Sequence, residues 1–372
     1  MKALGLYIDF PFCVARCAFC AFNIQGYRKG IAERYAAALR KEIALHAQTE
    51  IGRRSGNSVY FGGGTPTLYS PKVLNELLSS LREGWGLSDG VEATIEAHPA
   101  TVDFQKLEAL RTGGFNRLSM GAQSFSDQDL HALGRGHTAQ EARDAFRAAR
   151  AAGFTNIGID LIYALPGQSI REWEETLQAA IDLAPEHLSV YGLSIEEGTL
   201  FHKKERAGTL SLPSDDEAVA FYRKSQDRLV AAGYRQYEIS NFAKPGYACR
   251  HNLLYWDRGD TVGIGLSAHS YIDGEHRANT DSFAIYFDQV EAGRLPVARL
   301  QKVTAEEART DRIIFGLRKR DGVPLHFLQN DPFLQKTAER LILDGLLVLE
   351  EGHFRLSPKG VSFADEVAIA FI

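Results

Sequence analysis

The feature that most constrains this chain is a run of three cysteines within eight residues, Cys13, Cys17 and Cys20, with CxxxCxxC spacing. The apolar segment Leu4–Phe10 precedes the run and predicts a strand. Three thiolates on one short loop can hold three corners of a cubane iron–sulfur cluster, which leaves one iron open to a small molecule. A zinc site is the alternative, although structural zinc takes four ligands, usually as two separated pairs. The odd number of cysteines in this run, with no secretory context, disfavours a disulfide.

Composition narrows the class of protein. The 372 residues suffice for one large domain and a smaller one, and the hydrophobic content of 45% is that of an ordinary globular protein. The net charge of −5 gives no basic excess, so we expect no nucleic-acid partner. No segment has the run of apolar residues that a membrane span needs. The start of the chain, Met1–Gly5, lacks a signal-peptide pattern, so we expect a cytoplasmic protein.

Strand and helix patterns alternate about six times along the first half of the chain. The predicted strands are Leu4–Phe10, Ser58–Phe61, Glu92–Ala97, Arg117–Gly121, Asn156–Tyr163 and His187–Leu193. The predicted helices are Ile31–Ala47, Pro71–Leu81, Asp103–Leu110, Thr138–Ala152 and Ile170–Leu183. This alternation predicts an α/β fold with a parallel sheet, and six units are too few to close a barrel of eight. We therefore expect an open, partial (β/α)6 barrel, with a doubly wound sheet as the alternative.

The second half of the chain has a different pattern. A helix is predicted at Asp216–Ala232, a strand at Tyr234–Ser240 and an irregular stretch at Asn241–Trp256. The run Gly263–Ser270 is rich in small residues and suits close approach of the backbone to a ligand. The tail predicts two helices, a hairpin and a last helix, which is a winged-helix-like α+β arrangement. We expect three parts: a barrel (1–200), an extension that covers the ligand (201–300) and a C-terminal domain (301–372).

The turn after the second strand, Gly62–Pro66, reads GGGTP. It lacks the lysine of a phosphate-binding P-loop, which disfavours a nucleotide phosphate. Its glycines could let backbone groups meet a zwitterionic ligand on the open iron, or could serve only a tight turn.

Taken together, the ordered motifs resemble the radical S-adenosylmethionine superfamily. The resemblance rests on CxxxCxxC, on GGGTP, on the strand end at Glu96 and on five further segments: Gly121–Phe125, Leu133–His137, Asp160–Gln168, Tyr237–Ala243 and His251–Trp256. It covers nearly the whole chain and is greatest for the branch that contains oxygen-independent coproporphyrinogen III oxidase and related haem chaperones. It implies a partial radical-SAM barrel, a [4Fe–4S] cluster, S-adenosylmethionine and haem.

The resemblance also implies roles for individual residues. It identifies Cys13, Cys17 and Cys20 as ligands of the [4Fe–4S] cluster. It implies nine contacts to S-adenosylmethionine: Tyr7, Phe19, Gly63, Gly64, Thr65, Glu96, Gln123, Arg135 and Asp160. In such proteins the reduced cluster donates one electron to the sulfonium and generates a 5′-deoxyadenosyl radical. Each polar residue in this set could alternatively be a hydrogen-bonded strand-end or capping group.

Two departures separate this chain from the oxidases. Phe22 stands where an oxidase has a fourth cysteine, and the first strand begins almost at the first residue, without the oxidase's N-terminal extension. The segment His251–Trp256 matches the HNxxYW motif of the chaperones. We therefore expect a protein that binds haem and delivers it to apo-haemoproteins, with oxidative decarboxylation of coproporphyrinogen III as the alternative. Whether the chain is an enzyme stays open.

His251 is the candidate haem ligand, because a neutral imidazole is a common axial ligand of haem iron. Cys249 and His269 are the alternatives, and Tyr255 and Trp256 could offer apolar surface to the macrocycle or could simply pack in the core. The expected partners are haem or porphyrinogen and apo-haemoprotein clients. A membrane-bound client, with peripheral membrane contact through it, and a homodimer are left open.

Overall fold

The computed structural model describes residues 3–372, so Met1 and Lys2, which entered the signal-peptide expectation, lie outside the described residues. In chain order the strands are β1 (Leu4–Phe10), β2 (Phe12–Cys13), β3 (Gln25–Gly26), β4 (Ser58–Gly63), β5 (Glu92–Ala97), β6 (Arg117–Gln123), β7 (Ile157–Tyr163), β8 (His187–Gly192), β9 (Arg235–Gln236), β10 (Asn241–Ala243), β11 (Asp260–Ile264), β12 (His269–Ile272), β13 (Glu275–Asn279), β14 (Val297–Lys302), β15 (Val323–Pro324), β16 (Leu347–Glu350) and β17 (His353–Leu356).

Helices connect most of these strands. They are α1 (Lys29–Ala47), α2 (Pro71–Trp85), α3 (Phe104–Thr112), α4 (Asp127–Ala132), α5 (Ala139–Ala151), α6 (Ile170–Asp182), α7 (Leu200–Arg206), α8 (Asp215–Ala231), α9 (Arg250–Trp256), α10 (Phe283–Glu291), α11 (Ala305–Gly316), α12 (Pro332–Leu343) and α13 (Ala364–Ile369). Short 3₁₀ turns add Ile51–Arg53, Pro66–Leu68, Pro99–Thr101, Leu325–Leu328 and Gly360–Phe363. Within residues 3–372, no helix is long and apolar enough to cross a membrane.

The architecture centres on one 12-stranded sheet, in the order β14-β13-β12-β11-β1-β4-β5-β6-β7-β8-β10-β9. Its six consecutive strands β1, β4, β5, β6, β7 and β8 run parallel. At one end β11 pairs parallel with β1, and at the other β10 pairs antiparallel with β8, so the series continues outward instead of closing on itself. The predicted open arrangement of six strand–helix units is confirmed.

Local sequence explains where the helices around this sheet begin. Thr138 and Ser169 open α5 and α6 with capping boxes, in which the hydroxyl and the glutamate three residues later satisfy free backbone N–H groups. Ser70 is the N-cap of α2, where it accepts from Val73 N and is followed by Pro71 at the first helical position. The strands between the helices are mostly buried, as β6 illustrates, because helices and the barrel interior cover both faces.

The C-terminal part has a core of its own. Residues of α11, α12, α13 and the three-stranded sheet β15-β17-β16 form this second core, which Tyr222 of α8 also joins. It packs against α9 and the turn that follows this helix: Trp256 stacks on Phe315 with ring centroids 6.3 Å apart, and Arg258 Nε, just beyond α9, donates to Asp311 at 3.0 Å. The winged-helix-like expectation for this part is confirmed, with β15 as an additional strand. The boundaries at 200 and 300 stay predictions.

Three sequence predictions need correction. The strand predicted at Tyr234–Ser240 covers only Arg235–Gln236, because the buried Glu238 turns the chain by accepting from Ser240 N at 3.0 Å. The stretch 241–256 is not irregular, since it contains β10 and α9. The glycine-rich run 263–270 forms the end of β11 and the turn into β12. A Cβ on Gly263 would lie 2.3 Å from His269 O, so its close backbone approach is to the chain itself.

Candidate functional site

The cysteine run forms a loop anchored at both ends, at the carboxyl end of β1. β2 pairs parallel with β3 and places Cys13 opposite Gly26. In the middle of the loop, Ala18 N donates to Leu133 O at 2.9 Å and Ala18 O accepts from Phe201 N at 3.0 Å. Ala18 is buried in a small apolar cluster that includes Leu133 and Phe201. The loop is therefore held by its backbone and by one small side chain, which leaves the cysteine side chains available.

The three cysteines are free and half-buried. Cys13 Sγ lies 3.4 Å from Thr65 Oγ1, and Arg135 Nη1 donates to Cys17 Sγ at 3.3 Å. Burial raises the pKa of the Cys13 and Cys20 thiols, so a bound metal would have to supply the charge that deprotonates them. Three thiols on one loop, with a guanidinium beside one of them, fit a [4Fe–4S] cluster.

The GGGTP turn packs directly against this loop. Gly64 N donates to Phe10 O and Thr65 N to Phe12 O, both at 2.8 Å. A Cβ on Gly64 would lie 2.6 Å from each of these carbonyl oxygens, and one on Gly63, whose φ is +98°, would lie 1.9 Å from Asp9 Oδ1. The close approach of the turn to β1 and β2 thus requires these glycines. Contact of the same turn with a ligand stays a prediction.

Two carboxylic acids, Glu96 of β5 and Asp160 of β7, are close enough for their charges to interact. Glu96 accepts from Tyr60 Oη at 2.9 Å, and Asp160 accepts from Ser119 Oγ at 3.2 and 3.3 Å. Burial, followed by the charge of Asp160, raises the pKa of Glu96 to about 8, and burial also raises the pKa of Asp160. Near neutral pH Glu96 therefore holds a proton most of the time and can donate as well as accept a hydrogen bond.

Gln123 and Arg135 converge on Gly121 at the carboxyl end of β6. A Cβ on Gly121 would lie 3.1 Å from Gln123 Nε2 and 3.6 Å from Arg135 Nη2, which itself donates to Gly121 O at 2.6 Å. Gln123 has a left-handed backbone with φ +67°, at a point where the register with β7 shifts. Such bulges re-aim side chains beside functional sites.

Two aromatic residues, Tyr7 and Phe19, complete the set of predicted cofactor contacts. Tyr7 stacks on Tyr60 with ring centroids 5.9 Å apart, and its hydroxyl lies 3.0 Å from where a Cβ of Gly62 would be. Phe19 packs, half-buried, on the cluster that anchors the cysteine loop. The structure thus brings the cysteines and the nine predicted cofactor contacts together at one end of the parallel strands. We call this region the cleft.

His251 lies beneath the cleft, toward the amino-terminal end of the strands, where its ring centroid is 5.3 Å from that of Tyr60 and 6.2 Å from that of Tyr7. It is the second residue of α9, whose backbone N–H groups at Arg250 and His251 donate to Glu92 at the start of β5, both at 3.2 Å. His251 is only 1% exposed. Its Nδ1 bonds Ser58 Oγ at 2.9 Å and its Nε2 faces Tyr255 Oη at 3.3 Å. Iron ligation by His251 would therefore require these bonds to break.

The alternatives to His251 differ sharply in exposure. Cys249 is fully buried, its Sγ lies 3.6 Å from Glu92 Oε1, and burial raises its pKa to about 12, which disfavours a thiolate ligand. His269 is exposed at the start of β12. Trp256 stacks on Phe315 under Arg318, so packing accounts for it.

Sequence reasoning missed several residues that adjoin the cleft. Tyr60 fixes Glu96, and the rings of His98 and His137 meet edge to face with centroids 4.8 Å apart. Arg135 is close enough to both histidines for its charge to lower their pKa values. His137 ends a motif that the sequence singled out, but nothing in the spacing told which of its residues pointed inward.

This fold and site define a class of proteins: an open parallel barrel with a three-cysteine loop at the carboxyl end of its first strand. Residues 7–180 match the model of the Radical SAM superfamily, and residues 303–363 match the HemN C-terminal domain. The haem chaperone HemW of Mycobacterium tuberculosis is 35% identical over 369 residues, which cover 98% of this chain and 94% of the relative. HemW of Bacillus subtilis is 34% identical over 373 residues and 98% of each chain.

A solved structure supports the same placement. The radical SAM enzyme coproporphyrinogen III oxidase (HemN) from Escherichia coli superposes with a TM-score of 0.85 and 26% identity, over 100% of this chain and 90% of the other. The chain belongs to the HemW family within the radical SAM superfamily.

Proposed function

We propose that this protein is a haem chaperone, which binds haem and delivers it to apo-haemoproteins. The observation that carries the proposal is similarity along almost the whole chain, including the C-terminal domain, to proteins named haem chaperone HemW. Position 22, where an oxidase has a fourth cysteine, is Phe22 in this chain, and its side chain is 63% exposed beside the cysteine loop. This difference favours the chaperone over the oxidase.

The cofactors of the proposed function would lie in the cleft. Cys13, Cys17 and Cys20 would hold a [4Fe–4S] cluster, and the nine cleft residues would hold S-adenosylmethionine. A bound cluster supplies one-electron chemistry toward the sulfonium. The chain's own part is to orient the cofactor: Arg135 holds Cys17, Tyr60 holds Glu96, and Ser119 holds Asp160.

The proposed partners are haem and apo-haemoprotein clients in the cytoplasm. His251 remains our proposed haem contact, reached after α9 shifts, and His269 is the exposed alternative. His251 is only 1% exposed, so entry of a flat macrocycle with propionates would be accompanied by loss of the Ser58 and Tyr255 bonds.

The test is a haem titration of the anaerobically cluster-reconstituted chain, followed by its Soret absorbance. The expected result is saturable binding that shifts its spectrum or weakens in His251→Ala, with His269→Ala as the matched comparison. Absence of saturable haem binding by the wild-type chain would contradict the proposal.

A second function has a specific observation in its favour. The barrel and the small domain superpose on an oxidase over the full length of this chain. An anaerobic assay with coproporphyrinogen III and a reductant tests for decarboxylation of the propionates to vinyl groups. Turnover at a catalytic rate would replace the chaperone assignment with the oxidase.

A further inference from the structure

Two histidines beside the cleft each have one ring nitrogen committed to the backbone. His98 Nδ1 accepts from Ala100 N at 3.2 Å, where it caps the 3₁₀ turn that follows β5. His137 Nε2 lies 3.2 Å from Ala122 O, on β6. Each imidazole therefore has a second nitrogen that the backbone does not use.

The backbone partners fix the tautomers. A carbonyl oxygen only accepts, so His137 Nε2 carries the proton and Nδ1 presents a lone pair. An amide N–H only donates, so His98 presents Nε2–H. Both rings are neutral at physiological pH, because burial and then the charge of Arg135 lower their pKa values to about 3 for His98 and about 4 for His137.

Two polar atoms in this region are buried without any partner. His137 is 5% exposed, and its Nδ1 lone pair accepts from nothing. The Nε–H of Arg135 also has no acceptor, although the Nη atoms of that residue bond Cys17 Sγ and Gly121 O. A buried polar group without a partner is costly, and such groups point to a missing water or ligand.

The unpartnered atoms are complementary to one kind of chemical group. Nδ1 requires a donor and Nε–H requires an acceptor, and a hydroxyl is both. Arg135 bonds Cys17 Sγ and Gly121 O, and it is close enough to His137 for its charge to lower the pKa of that ring, so both unpartnered atoms belong to residues that border the cleft.

We propose that His137 is a binding residue of the cleft, whose Nδ1 accepts a hydrogen bond from a ligand hydroxyl. With the proposed function as its basis, the inference names a ribose hydroxyl of S-adenosylmethionine as that group, with Arg135 Nε–H as its second partner. His98 packs edge to face against the His137 ring and holds its orientation.

The test separates this role from a purely structural one. His137→Gln places an amide N–H near the position of Nε2 and so keeps the bond to Ala122 O, but it has no acceptor at the position of Nδ1. His137→Ala removes both. S-adenosylhomocysteine and its 2′-deoxy and 3′-deoxy analogues serve as probes, with binding to the cluster-reconstituted chain measured by calorimetry and folding checked by thermal melting.

The expected result is that the wild-type chain loses about three- to tenfold in affinity for one deoxy analogue, the effect of one net hydrogen bond. His137→Gln should melt like the wild type, bind S-adenosylhomocysteine as weakly as that analogue, and no longer distinguish the two probes.

Three results would overturn the inference. The first is that His137→Gln binds S-adenosylhomocysteine as tightly as the wild type does. The second is that the wild-type chain binds all three probes equally, in which case only a water satisfies Nδ1. The third is that the wild-type chain does not bind S-adenosylhomocysteine at all. Failure of the proposed function is separate, since a chain that shows the hydroxyl effect but binds no haem would lose the chaperone assignment alone.

Discussion

Replacing Tyr60 by phenylalanine tests how the barrel controls the charge of Glu96. The change removes the hydroxyl that donates to Glu96 Oε1 at 2.9 Å but keeps the ring that stacks on Tyr7 and His251. Burial and the charge of Asp160 raise the pKa of Glu96 to about 8, whereas the Tyr60 bond lowers it by stabilising the carboxylate. A hydrogen bond to a charged group contributes about 1.5–3 kcal/mol. Its loss should therefore raise the pKa of Glu96 by about one to two units.

The expected effect on ligand binding follows from the fraction of Glu96 that is ionised. If the carboxylate of Glu96 is the form that accepts a nucleoside hydroxyl, the affinity for S-adenosylhomocysteine rises with pH toward a midpoint near 8 in the wild type. In Tyr60→Phe the midpoint moves up by about one to two units, and the affinity at neutral pH falls by about ten- to a hundredfold. Calorimetry over the range from about pH 6 to about pH 11 measures both.

Glu96→Gln is the matched control, because it is neutral at every pH and should abolish the midpoint. Coincident midpoints in the wild type and Tyr60→Phe would refute the reasoning. So would a Glu96→Gln variant that keeps the pH dependence, since another group would then be titrating.

Three further changes test the stability of the fold and of the cysteine loop. Burial raises the pKa of Glu42 to about 7. The free energy of unfolding should therefore decline as pH rises from about 4.5 through 7, because the buried side chain must then lose its proton. Glu42→Gln should remove roughly 3 kcal/mol of this decline, measured by urea unfolding at several pH values. Gly64→Ala places a Cβ 2.6 Å from Phe10 O and Phe12 O and should abolish cluster retention, measured as iron per chain. Arg258→Ala removes the bond to Asp311 and the cover over Tyr271, and should weaken docking of residues 305–372 by about 1–3 kcal/mol in hydrogen exchange.

Two of these changes, Gly64→Ala and Arg258→Ala, have a control in the same chain. Gly90→Ala meets nothing within 4 Å and should keep its iron. Arg171→Ala breaks an exposed pair with Glu175 and should change stability by less than about 0.5 kcal/mol. An unaltered pH slope in Glu42→Gln, full iron in Gly64→Ala, or unchanged exchange in Arg258→Ala would count against the corresponding contact.

The parallel part of the fold could be predicted because its signals are local. Glu92–Ala97 is a strand with the predicted bounds, α2 begins at the predicted Pro71, and Thr138 caps the helix that it was expected to begin. The extension of the sheet beyond β1 could not be predicted in this way. Its strand β11 is defined by parallel pairing with β1, which is a contact between residues far apart in sequence. Its glycines permit tight packing, and a glycine-rich pattern alone does not tell a packed strand from a ligand loop.

The candidate site was also predictable only in part. The cysteines and GGGTP have a spacing that encodes their geometry, and the structure gathers them as expected. The burial of His251 depends on Ser58 and Glu92, which begin two other strands, and no pattern within the HNxxYW motif reveals those partners. Tautomers such as those of His98 and His137 follow from backbone contacts that only the folded chain brings together.

The central claim, that this protein binds and hands over haem, is tested most directly by haem transfer. The cluster-reconstituted chain is loaded with haem under anaerobic conditions and mixed with an apo-haemoprotein, while a second aliquot receives coproporphyrinogen III and reductant. We predict that the Soret spectrum of the client appears as that of the chaperone declines, and that the second aliquot forms no vinyl product. Vinyl product at catalytic turnover, with no transfer of haem, would contradict the account.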